Sequence, residues 1–161
     1  MIILGLNGWM ERSHDAAACL IVDGQIVAMA EEERFIRQKH SFDKLPHNAI
    51  AFCLQEAGIV PDDIDVVAWG WDFPLLYSLH GRRFEYNTAG LNELVFPKKY
   101  YPRKNKLIPV ELVDHHSCHA ASSFCCRDAE EKTAIIVLDG AGEEISASIF
   151  IGHNRRIRDC R

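Results

Sequence analysis

Three histidines, His115, His116 and His119, fall close together in the segment 113–124, VDHHSCHAASSF. Side chains four residues apart in a helix lie on one face, one turn apart. A helix here would therefore aim His115 and His119 in the same direction. Two imidazoles so placed can chelate one divalent metal ion. His116 and His119, three apart, form a second candidate pair. Asp139 ends the apolar run 133–138 and could add a carboxylate. Two imidazoles and a carboxylate suit Fe(II), Mn(II) or Zn(II) better than Cu(I) or an iron–sulfur cluster. Helix capping or hydrogen bonding in a core accounts for the same histidines without a metal.

Two further clusters carry weaker signals. Asp139-Gly140-Ala141-Gly142 follows an apolar run, and glycines there let backbone N–H groups approach a phosphate closely; plain hairpin turns share this pattern. The polar loop 7–15 holds His14, which could donate to an anion or act as an acid or base. Lys39 and His40 close the charged run 31–40 (EEERFIRQKH), whose simplest reading is a solvated connection.

The elements that must position these residues are legible in outline. Residues 1–8, 16–22 and 25–30 read as three short strands, the last two joined by the hairpin signal Asp23-Gly24. Pro46 opens a helix whose apolar face carries Ile50, Cys53, Leu54 and Ala57, and Gly58 stops it. Residues 64–70 form a buried strand. The stretch 71–106 is poorly patterned and reads as an insertion with one short helix near Asn92. A strand at 107–113, a helix over 115–127 capped by Asp114, and strands at 133–138 and 145–152 complete the order β-β-β-α-β-(insertion)-β-α-β-β. Antiparallel strands followed by a crossover helix imply a mixed sheet of ribonuclease-H-like α/β type. The expected division is a first lobe over 1–132 with an insertion at 71–106, then the start of a second lobe over 133–161, with nothing after residue 152 to pair with its last strand.

With 161 residues, 48% apolar and 25% charged, the chain has the composition of a globular domain. A net charge of −5 argues against general nucleic-acid binding. No run is long and apolar enough to span a membrane. Six cysteines without C-x-x-C spacing and no secretory signal point to a reducing, cytoplasmic setting.

Three motifs in order carry a family resemblance. His14-Asp15-Ala16-Ala17-Ala18, Asp23-Gly24 and 30–40 (AEEERFIRQKH) resemble the N-terminal signature of the O-carbamoyltransferases that act in antibiotic tailoring and on nodulation factors. Segments 114–124 (DHHSCHAASSF) and 138–143 (LDGAGE) resemble their second and third signatures. The resemblance implies an actin/sugar-kinase/Hsp70 fold related to the tRNA threonylcarbamoyl transferases. It implies ATP and carbamoyl phosphate as co-substrates, carbamoyl-adenylate formed in a separate C-terminal domain, and a small-molecule hydroxyl as acceptor. It further implies a divalent metal, typically iron, held by His115, His119, Asp139 and a later aspartate, with nucleotide phosphate near Asp139, Gly140 and Gly142. His14 and Lys39 match residues near the reacting carbamoyl group. The later aspartate and the adenylate-forming domain are absent, and Cys125-Cys126-Arg127 departs from the aromatic-and-proline segment usual there. The expectation is a truncated lobe, inactive alone, that associates as a homodimer or with missing C-terminal domains. A non-catalytic metal- or nucleotide-binding domain and a kinase-like ATPase lobe are the other readings.

Overall fold

Alternating apolar residues near the N-terminus build three strands, β1 (Ile2–Asn7), β2 (Ala17–Val22) and β3 (Gln25–Glu31), whose Leu4, Leu6, Ala18, Leu20 and Ala28 turn inward. The computed structural model describes residues 1–126, 131–140 and 142–160. β1 and β2 pair antiparallel with Leu4 opposite Leu20, and β2 returns into β3 through Asp23 and Gly24, both at positive φ. That pair of dihedrals matches the right-handed twist of the flanking strands. β4 (Val66–Trp69) lies parallel to β1, and β5 (Val110–Leu112) completes a mixed sheet of order β3-β2-β1-β4-β5. The crossover between β3 and β4 runs through α2 (His47–Ala57), which packs Ala49, Ile50, Cys53 and Leu54 onto β2 and β3 and ends at a left-handed Gly58.

The charged run 31–40 is mostly exposed and links β3 to α2, as its composition suggests, but it is more than a solvated connection. It forms a short helix, α1 (Glu33–Ile36), and a 3₁₀ turn (Lys39–Ser41), and it buries Glu32 and Ser41. Glu32 is 3% exposed and accepts hydrogen bonds from Asn48 N, Asn48 Nδ2 and Ala49 N. The carboxylate thus satisfies open N–H groups at the first turn of α2 and faces the positive end of its dipole, which offsets the desolvation of its charge.

The insertion holds two helices rather than one, α3 (Phe73–Leu79) and α4 (Thr88–Val95), each capped by a side chain one residue upstream: Asp72 accepts from Leu75 N, and Asn87 from Gly90 N. The chain packs as two compact units, Met1–Trp69 with Glu85–Glu111, and Gly70–Phe84 with Leu112–Arg161. These follow packing, whereas the lobes expected from motif order divide the chain after residue 132. In the first unit, Asn92 of α4 is 5% exposed and pairs through both ends of its amide with the Ile108 backbone, fixing the approach to β5.

The second unit contains α5 (His115–Cys125) and an antiparallel sheet of β6 (Thr133–Leu138), β7 (Ala147–His153) and β8 (Arg156–Asp159). Ala120 and Phe124 of α5 pack on Ile135, Val137 and Phe150, with Ile157 alongside. β8 corrects the expectation that nothing follows residue 152: Asn154 and Arg155, both at positive φ, reverse the chain and pair it with β7. The strand pair 133–152 is therefore covered on its β7 side. The helix expected to reach residue 127 ends at Cys125; Arg127 lies outside the described residues. No described helix is long and apolar enough to cross a membrane.

Glu32→Ala should lower stability by about 2–3 kcal/mol, through loss of a cap and exposure of orphaned donors in the core. Glu32→Gln, which keeps one acceptor oxygen, should recover part of the loss. Urea unfolding of the three proteins measures both.

Candidate metal centre

Asp114 sets the register of the histidine helix. Its Oδ1 accepts from Ser117 N and Ser117 Oγ, both at 2.7 Å, and starts α5 at His115. One turn then places His115 and His119 side by side, with Nε2 atoms 3.1 Å apart. Asp139, one residue past β6, brings Oδ2 to 3.1 Å from His115 Nε2 and 3.5 Å from His119 Nε2. Donor atoms bound to one cation at metal–nitrogen distances of 2.0–2.1 Å are separated by about 3–3.4 Å. The three atoms are spaced close to what one triangular face of a coordination shell requires.

The protonation pattern supports the same reading. His115 Nδ1 lies 3.0 Å from the carbonyl oxygen of Gly70, which can only accept, so Nδ1 carries the proton. In the neutral ring Nε2 then presents a lone pair to the Asp139 oxygen and to His119. Lone pairs converging on a carboxylate are favourable with a cation or a proton between them, so the donor set fits a divalent metal. Burial opposes ionisation of Asp139, but the Gly140 amide, together with His115 and His119 when their rings are protonated, outweighs it and holds its carboxyl below the usual range. Burial pushes the thiol of Cys118, on the same helix, up to about 11.

His116 takes a different part. It is fully buried, and its Nδ1 lies 2.7 Å from Ser148 Oγ on β7. A Cβ on Gly142 would stand 2.8 Å from His116 Nε2, so glycine is needed there because the ring packs on its backbone. The two glycine amides are already engaged: Gly140 N donates to Asp139 Oδ1 and Gly142 N to Ile145 O. A phosphate would draw on them only after one of these bonds opened. Ala141 lies outside the described residues.

Sequence reasoning missed Trp71 and Glu143 as parts of this centre. The Trp71 ring stacks on His115, with centroids 3.9 Å apart and planes 18° from parallel. Glu143, 9% exposed, accepts from the backbone N–H groups of His115 and Asp72. Glu143 stands in the third motif, a usable signal; Trp71 gave none, since it opens a stretch without periodicity.

His14 and Lys39 belong to the first compact unit, where both are exposed. His14 Nδ1 lies 2.7 Å from Asp15 Oδ2, and His40 Nδ1 lies 2.9 Å from Asp15 Oδ1. One carboxylate thus orients two imidazoles, and these bonds, His14 first, hold the Asp15 carboxyl below its ordinary value. Asn7 Nδ2 donates to the carbonyls of His14 and Asp15, and Asp15 N donates to His40 O, so the loop around His14 and the turn around His40 are laced together. Lys39 opens that turn. Asp15 and His40 are the participants that sequence alone did not assign.

At the level of fold, the chain resembles YeaZ from Pseudomonas aeruginosa, with a TM-score of 0.52 at 14% identity over 100% of this chain and 66% of that one. It likewise resembles the ROK hexokinase from Thermus thermophilus, with a TM-score of 0.51 at 12% identity over 98% and 47% of the two chains. The fold is mixed α/β of the actin-like ATPase type. Residues 3–159 match the family described as carbamoyltransferase N-terminus, and the chain belongs to that family. It is 29% identical to the nodulation protein NolNO of Sinorhizobium fredii over 98% of this chain and 26% of that protein. It is 32% identical to the protein sll1178 of Synechocystis sp. over 96% of this chain and 28% of that one. The chain thus spans about a quarter of the length of these two relatives.

Two outcomes follow from the packing and the charges. Gly142→Ala should cost about 1–3 kcal/mol, because the buried His116 ring must move to admit the methyl group; thermal unfolding measures it. Asp15 has a depressed pKa in the folded state, so its contribution is present above its ordinary value of 3.8 and is lost as pH falls through the folded value. The difference in melting temperature between the wild type and Asp15→Asn should be present above about pH 4 and shrink toward zero as the pH falls below that.

Proposed function

We propose that the chain is the N-terminal lobe of an ATP- and carbamoyl-phosphate-dependent O-carbamoyltransferase that moves a carbamoyl group to the hydroxyl of a small-molecule acceptor. The observation that carries this reading is the convergence of His115 Nε2, His119 Nε2 and Asp139 Oδ2, in a member of the carbamoyltransferase family, with the His115 proton fixed on the opposite nitrogen.

His115, His119 and Asp139 would hold the divalent metal, with Fe²⁺ first and Mn²⁺ or Zn²⁺ as substitutes. When bound, the ion supplies Lewis-acid neutralisation of phosphate charge. His14, with Nδ1 committed to Asp15, keeps an Nε2 lone pair that can take the proton of the acceptor hydroxyl. The resulting imidazolium remains paired with the Asp15 carboxylate. The Lys39 ammonium stabilises negative charge developing on the carbonyl or phosphate oxygens. This chain supplies three candidate ligands, His115, His119 and Asp139, and spans about a quarter of the length of the two relatives. All six cysteines are free thiols, which suits a cytoplasmic setting.

Anaerobic titration with Fe²⁺, and in parallel with Mn²⁺ and Zn²⁺, should show one ion bound per chain. His115→Ala, His119→Ala and Asp139→Asn should each weaken binding at least tenfold while circular dichroism stays unchanged. Undiminished binding in the His115→Ala, His119→Ala double variant would exclude this site.

A further inference from the structure

The segment that opens the insertion is attached to one metal-ligand candidate and not merely near it. Gly70 accepts the His115 Nδ1 proton at 3.0 Å. Trp71 covers the face of the same ring. Asp72 N and His115 N share the Glu143 carboxylate, at 2.7 Å for Asp72 and 3.2 Å for His115. Asp72 is also the N-cap of α3: its Oδ1 accepts from Leu75 N and its carbonyl from Leu76 N. Phe73, 1% exposed, stacks on Phe84 and holds the far end of the segment in the same unit. Three consecutive residues therefore fix the ring and backbone of His115, and the third of them starts a helix.

We propose that Trp71 and Glu143 are positioning residues for His115, and that the order of segment 70–79 and the loading of a cation by His115 are thermodynamically linked through them. The linkage to a cation rests on the metal reading above; the attachment of the segment to His115 does not. A ring free to rotate about χ1 and χ2 must lose that freedom when it binds an ion. The Gly70 carbonyl and the Trp71 indole have already restricted it, so less entropy is lost on loading. Linkage is reciprocal: an ion that holds His115 in place holds the acceptor and the stacking partner of the segment, and so stabilises the first turn of α3.

Hydrogen exchange on the full chain separates the two halves. In EDTA, His115→Ala should speed amide exchange over residues 72–79 severalfold, whereas His119→Ala, on the same helix face with its Nε2 toward His115 and Asp139, should leave it at the wild-type rate. Equal rates in the two variants would overturn the attachment. With Zn²⁺ as the probe, exchange over 72–79 should slow in the wild type. Trp71→Leu should bind Zn²⁺ about tenfold more weakly, as loss of an outer partner of a metal-bound histidine commonly does. Trp71→Phe, which keeps a stacking ring, should recover most of that loss. Zn²⁺ that binds without slowing exchange, or binds Trp71→Leu as tightly as wild type, would overturn the linkage. A wild type that takes up no Zn²⁺, Mn²⁺ or Fe²⁺ would overturn both the linkage and the metal reading, while the EDTA comparison still decides the attachment. Unchanged exchange over β1 and β2 controls for global unfolding.

Discussion

The hydrogen bond from His115 Nδ1 to the Gly70 carbonyl decides what the centre can do. An imidazole has two nitrogens, and the proton on one leaves a lone pair on the other. Because a carbonyl oxygen cannot donate, this bond fixes the tautomer and turns Nε2 into an electron-pair donor facing Asp139 and His119. The opposite tautomer would place the Nε2 proton toward the carboxylate, and that nitrogen would then be a hydrogen-bond donor with no lone pair for a metal. The remaining features serve that orientation: the Asp114 cap sets the helix start, Trp71 blocks ring rotation, and Glu143 holds the backbone.

The same logic governs the other polar cluster, with different means. Asp15 accepts from two imidazoles, and the segments that carry them meet in unusual backbone conformations. Asp15, His40, Ser41 and Asp43 all have positive φ. Asp and His enter this region more readily than most residues, yet each such position still costs of order 1 kcal/mol or more. The cross-links Asp15 N to His40 O, Ala16 N to Ser41 Oγ and Asp43 N to Ser13 O hold the strained turns together. Gly8 permits the close approach: a Cβ there would lie 2.6 Å from Ala16 Cβ and 2.7 Å from Lys44 O. A buried Glu32 fastens the other end of the segment to α2.

Sequence patterning revealed what depends on local periodicity. The strands β1 to β3, the helix α2 with its Gly58 stop, and the pairing of His115 with His119 all follow from spacing of two or four residues. It did not reveal what depends on contacts between distant segments. The burial of Glu32 within the otherwise solvated run EEERFIRQKH was not legible, because composition does not show that a helix N-terminus waits sixteen residues downstream to receive it. Trp71 lay in a stretch with neither helical nor strand period, and its meaning appears only with His115 beneath it. Spacing turned His116 about 100° round the helix from His115, toward the sheet or a substrate; its seat against Ser148 of β7 depends on a contact 32 residues away and needed the structure. β8 was missed because Arg156, Arg158 and Asp159 alternate with few apolar residues and carry little burial signal.

Two glycines give α5 its seat. Gly142 receives the His116 ring, and Gly152 of β7 receives Phe124, where a Cβ would stand only 2.4 Å from the ring. Residues 116 and 124 are eight apart, about 12 Å along a helix axis. Two such sockets work as a pair of dowels: one alone would allow the rod to pivot, and two suppress both rotation and sliding. The side-by-side placement of His115 and His119 is thus inherited from steric fit at two glycines, neither of which touches those two rings.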